Sequence, residues 1–239
     1  MGKSDKFILS DGSVELLKWV AVCLMVVDHV NKYLFGEAYP VMFSFGRLVL
    51  PIFVVVLAYN LSRDDGLRKG VYLRAMKRMV IFGLLATPAF VGLGGDLALV
   101  KDGQELWWIL NILFTLALLT WCLYCFDRGQ TDNYWNWVGW GSFLFGGAFV
   151  EFWWGALGLG IAVWLYYKNL DSGVTWSLLG FSLFFLLVVN IGNWWFLMAF
   201  PLIYLASKIP VQITRMKWFF YGFYPVHLSI IWWIKHYML

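Results

Sequence analysis

Apolar runs close to the length of a bilayer-crossing helix take up almost the whole chain, and they leave it little else to fold into. About nine are present, at residues 14–35, 43–61, 71–91, 106–126, 134–150, 153–167, 174–191, 194–207 and 217–237. A helix needs about 20 apolar residues to cross the hydrocarbon core. Runs 153–167 and 194–207 are short and suit tilted or re-entrant pieces, so eight to ten spans are expected. Lipid offers no partner to a free backbone N–H or C=O, so such runs must be helices. Hydrophobic residues are 62% and charged residues 13% of the chain, about half the charge of a soluble domain. The expected fold class is all-α, a polytopic integral-membrane helical bundle of about nine transmembrane helices. It forms one domain over residues 1–239, with 1–13 as a cytoplasmic N-terminal segment.

Charge in the short loops sets the expected orientation, because Lys and Arg collect on the cytoplasmic side. Arg63, Arg68, Lys69, Arg74, Lys77 and Arg78 crowd the loop after the second run. That loop and the N-terminus, with Lys3, Lys6 and Lys18, are expected inside. Residues 92–105, with Asp96, Asp102 and Glu105 against Lys101, are expected outside. The pairs Trp107-Trp108, Trp153-Trp154, Trp194-Trp195 and Trp232-Trp233 then fall at the outer interface, where amphipathic rings prefer to sit. The polar start resembles neither a secretory signal nor a myristoylation site. A net charge of +4 gives no basis for nucleic-acid binding. Cys122 and Cys125 form a lone C-x-x-C without a second ligand pair, so no metal site is expected.

Against this background a few polar residues stand out. Asp28 and His29 lie deep in the first run, where an ionisable group costs several kcal/mol and usually faces a bundle interior or a wet cavity. Lys18 precedes His29 by eleven positions, which brings it back to the same helix face roughly 16 Å away along the axis. Arg47 opens the second run within Gly46-Arg47-Leu48-Val49-Leu50-Pro51, and His227 lies mid-run in the last, two positions after Pro225. Glu151 sits between Trp-rich runs, available to pair with Arg47 or to stay solvated in a turn. Bland roles compete with functional ones: snorkelling for Arg47, and helix-packing hydrogen bonds for Asn60, Asn111, Asn190 and Asn193.

A histidine in a dry pocket suits acyl transfer. An attacking amine or hydroxyl must lose a proton, and the oxyanion formed at a thioester carbonyl needs hydrogen-bond donors. His29 is the expected base, with Arg47, an Asn or His227 as donor. The acyl donor would be acetyl-CoA, with its phosphates held by Lys18 and the basic loop 63–78. Lys18, Arg63, Asn60 and Asn111 are the candidate donor-binding residues. The acceptor would come from outside.

Several blocks resemble the TraX family: Lys18 through Asp28 and His29, Gly46-Arg47 through Pro51 and Phe53, Ala58-Tyr59-Asn60, Asn111 through Leu116, and Tyr224-Pro225-Val226-His227-Leu228. The resemblance runs from about residue 14 to 230. It implies a bacterial inner-membrane protein that acetylates the N-terminus of conjugative pilin, with His29 catalytic and Asp28, Arg47 and His227 in its site. The first helix is also similar to that of the membrane acyltransferase-three group, in which a basic residue, ten positions and a His recur. Lys18 stands where Arg is more usual, a point charge in place of a bidentate fork. Two alternatives keep the same residues: an O-acetyltransferase for a surface glycan or lipid, and a proton-coupled transporter. No internal symmetry of the transporter kind is visible.

Overall fold

The computed structural model describes residues 7–63, 65–94, 100–101, 104–105 and 109–238. It is a helical bundle. Its helices are α1 (Asp11–Leu34), α2 (Pro40–Gly46), α3 (Val49–Ser62), α4 (Val71–Gly92), α5 (Ile112–Arg128), α6 (Tyr134–Gly146), α7 (Trp153–Lys168), α8 (Ser172–Val189), α9 (Ala199–Lys208) and α10 (Lys217–Tyr237). A two-residue hairpin pairs Val100–Lys101 with Gln104–Glu105, and 3-10 turns precede α7 and α9. Each of the nine apolar runs contains a helix. The fourth starts later than the run, at Ile112, because Asn111 caps it by accepting a hydrogen bond from the Leu113 amide. Trp107, Trp108, Lys3, Lys6, Asp96 and Asp102 lie outside the described residues, and so do the side chains of Lys101 and Glu105.

Among the described residues, three helical stretches are long and apolar enough to cross a membrane: Pro40–Ser62, Val71–Gly92 and Ser172–Val189. The first joins α2 and α3 through a break at Arg47–Leu48. The break has a local cause, since Pro51 has no N–H to return to the Arg47 carbonyl. The Arg47 and Leu48 amides instead donate to the carbonyls of Ser44 and Phe45, three residues back. Helix α6 has 13 residues and α9 has 10, short of a full crossing.

Helix α7 runs through the centre. Its glycines Gly155, Gly158 and Gly160 are buried, as are Leu157, Leu159, Ile161 and Trp164. Small residues let its backbone approach α5 and α8 closely: a Cβ on Gly160 would stand 2.4 Å from Leu119, and one on Gly158 2.4 Å from the Ser182 hydroxyl. Large side chains cover the outside instead, among them Trp137 and Phe145 on α6, Leu84 and Leu85 on α4, and Phe184 and Val188 on α8. So much apolar surface facing outward suits a lipid surround.

Helix α1 packs against α3, α9 and α10. The pairing is set at its start: Ser10 caps the helix, and a Cβ on Gly12 would strike the Val211 carbonyl at 1.7 Å. Its far end, with Asp28 and His29, meets α2 and α10.

Candidate functional site

The residues singled out at the far end of α1 come together. His29 on α1 and His227 on α10, 198 positions apart, are joined by a hydrogen bond from Nδ1 to Nε2 of 2.6 Å. The rings lie 6° from parallel. The His227 Nδ1 is 3.0 Å from the Phe223 carbonyl, one turn earlier on the same helix. A carbonyl only accepts, so this nitrogen carries the hydrogen and a neutral His227 presents the Nε2 lone pair. His29 then donates through Nδ1 and keeps the lone pair on its own Nε2. Tyr33 and Tyr224 flank the pair, with ring centroids 5.6 Å and 6.4 Å from that of His29. His227 is buried and His29 partly so.

Asp28 does not turn to its neighbour His29. It faces α2, where Arg47 Nη2 donates to Oδ1 at 3.1 Å and to Oδ2 at 3.4 Å. The guanidinium is held on its other sides too. Its Nη1 donates to Asn190 Oδ1 at 3.3 Å, its Nε donates to the Phe43 carbonyl at 3.3 Å, and it lies over the Phe43 ring. Asn190 in turn donates to the Leu186 carbonyl at 2.7 Å. Gly46 makes room for this cluster, because a Cβ there would stand 2.0 Å from Asp28 Oδ1. Arg47 thus pairs with Asp28, and among the described residues no ion pair joins it to Glu151. The Glu151 side chain lies near the start of α5, close enough to Tyr224 to act on it electrostatically. Its backbone is pinned by Leu110 at 3.1 Å and by the Thr115 hydroxyl at 3.0 Å.

The donor-side candidates divide between the two ends of the bundle. Lys18 pairs with Glu15 at 2.5 Å, and its ammonium lies over the Phe220 ring at 4.4 Å. Glu15 is buried, and its Oε2 has no hydrogen-bond partner among the described residues. Arg63 pairs with Asp11 at 2.8 Å and lies over Tyr59. Asn60 is in the last turn of α3, at the Arg63 end. Asn111 stands away from these, at the start of α5, where it caps the helix and donates to the Gly83 carbonyl at 3.0 Å. Its amide nitrogen thus joins α5 to α4, and its oxygen caps α5.

Sequence reasoning had no sight of Gly46, Glu15 or the Phe223 carbonyl as parts of these clusters. Gly46 left a signal, a glycine directly before the arginine. Glu15 left one as well, an acidic residue three positions before Lys18. The Phe223 carbonyl left none, because every residue has one.

A helical bundle with stretches long and apolar enough to cross a membrane, and with a histidine pair and an aspartate–arginine bridge in one place, defines the class. Within it, residues 13–235 match the TraX protein family, and the chain belongs to that family. A Protein TraX of Escherichia coli is 34% identical over 119 residues, which is 48% of this chain and 42% of that protein. A second Escherichia coli Protein TraX is 31% identical over 119 residues, with the same 48% and 42% coverage. The matched stretch thus spans less than half the length of these relatives. No solved structure matches the chain.

Proposed function

We propose that this protein is a membrane-embedded acetyltransferase that moves an acetyl group from cytosolic acetyl-CoA to the N-terminal amine of a pilin subunit or a related extracytoplasmic acceptor. The supporting observation is the His29–His227 hydrogen bond of 2.6 Å, which leaves a basic nitrogen inside the bundle. Lys18 lies on the same helix roughly 16 Å away, a span suited to an extended pantetheine arm. Donor phosphates then sit at the Lys18 and Arg63 end, in the cytoplasm, and the thioester reaches His29. The acceptor amine attacks the thioester carbonyl while His29 Nε2 takes its proton. The tetrahedral intermediate collapses to the amide, and the coenzyme A thiolate leaves and takes that proton back. His227 stabilises the imidazolium through Nδ1 of His29. Asp28 and Arg47 hold the end of α1 against α2 and so position His29. The protein sits in the bacterial inner membrane with about nine crossings and its N-terminus in the cytoplasm.

The test is release of coenzyme A by purified protein in nanodiscs, given radiolabelled acetyl-CoA with and without a peptide bearing a free pilin-type N-terminus. Release that requires both the peptide and His29 is expected. Release that needs a glycan or lipid hydroxyl instead would move the acceptor to the O-acetyl class. Absence of acetyl-CoA turnover in folded protein would refute the acetyltransferase reading.

A further inference from the structure

The strongest unclaimed feature lies on the back of α10, away from His227. Arg74 and Arg78 lie one turn apart on α4, and Arg215 and Lys217 stand at the start of α10, where the Arg78 guanidinium reaches across to the Trp218 ring. Among the described residues none of the four has a carboxylate within ion-pair distance, although Lys18, Arg47, Arg63, Arg68, Lys69 and Lys168 all have one. Like charges gathered without a counter-ion repel one another and are stabilised by an anion. Arg78 is also oriented: its guanidinium lies over the Trp218 ring at 4.7 Å and 5.9 Å from the centre of the Tyr221 ring.

Directly beyond these cations an apolar groove of about 490 Å³ runs between α4 and α10. Phe82 and Leu85 form one wall, and Pro225, Val226, Ile230 and Trp233 the other. Phe82 follows Arg78 by one turn, so the groove starts where the cations end. Gly222 forms its floor, and even a Cβ there would come no nearer than 3.8 Å to Phe82. From Gly222 to Trp233 the helix rises roughly 16 Å, about half the hydrocarbon thickness of a bilayer. The groove opens outward, since Leu85, Val226, Ile230 and Trp233 are each more than half exposed. His227, Tyr224 and Leu228 face the bundle from the other side of the helix.

We propose that the α4–α10 seam binds one anionic glycerophospholipid, its phosphate on Arg74, Arg78, Arg215 and Lys217 and one acyl chain in the groove. The head matches the charge and the tail matches both the apolar walls and the length of one leaflet. A coenzyme A arm lying there would end on the outer face of α10 with that helix between it and the histidine pair, so the donor does not account for this site. The inference stands independently of the acetyltransferase reading.

Native mass spectrometry tests it on the whole protein, delipidated and then titrated with phosphatidylglycerol or phosphatidylcholine. Wild type is expected to retain one phosphatidylglycerol in preference to phosphatidylcholine. Replacing both Arg78→Gln and Lys217→Gln should cut that preference roughly 30-fold, at about one cation's surface attraction each. Gly222→Phe should fill the groove and abolish retention of either lipid. If Gly222→Phe does not fold, the charge variant decides alone, because its side chains lie at the rim. Equal retention of the two lipids by wild type would overturn the proposal. So would an unchanged preference in the charge variant, or displacement of the lipid by millimolar coenzyme A, which would make this a nucleotide-phosphate site.

Discussion

A histidine that must take up a proton inside a bundle needs its tautomer settled before substrate arrives, and the Phe223 carbonyl does this through His227. Asp28 has another task. Its two oxygens are spent on Arg47, so the adjacency of Asp28 and His29 in the sequence makes no dyad. The rotation of about 100° per residue explains why: neighbours on a helix face different partners. The bridge is largely buried, with 15% and 16% of the two side chains exposed. Removing one partner of such a pair strands the other charge. Asp28→Asn should therefore lower unfolding stability by about 3 kcal/mol, close to what Gly46→Ala costs by pushing a methyl into the same carboxylate. Thermal unfolding in detergent checks both; a Gly46→Ala protein as stable as wild type would contradict the geometry. The sequence made His29, Asp28, Arg47 and His227 visible because ionisable groups are costly in apolar runs. It did not reveal who partners whom, since the His29–His227 contact spans nearly the entire chain.

Among the elements, the helices were the most legible part of the fold. Each hydropathy run holds one α-helix except 43–61, which is split between α2 and α3 at the break that Pro51 foreshadows. How many cross a membrane was less legible, because α1 and α10 trade apolar length for charged and polar side chains while α6 and α9 are short. The order of packing was not legible either. It rests on shape, and α7 shows how: three glycines within six residues let α5 and α8 close on it. Gly158→Leu would force a branched side chain into the 2.4 Å space beside Ser182. Overpacking of this kind costs about 1–3 kcal/mol, so the melting temperature should fall. Gly180, with nothing near its Cβ position, should accept Ala without loss, and equal effects at both sites would argue against the close α7–α8 approach.

At the scale of the whole molecule the polar groups sort into two ends joined by α1. One end holds the paired cations Lys18 and Arg63, and the other holds the histidine pair and the aspartate–arginine bridge. This separation of charge from base is what the proposed reaction between a cytosolic donor and an outer acceptor would use. In the proposed transfer the two histidines act as one unit. Groups that act as a unit are not additive when removed. The decisive measurement is single-turnover acetyl transfer by wild type, His29→Ala, His227→Ala and the double variant, each checked for folding. A unit predicts that each single variant loses roughly 10²-fold or more and that the double loses little beyond the worse single. Losses that multiply, or full activity in folded His29→Ala, would contradict it.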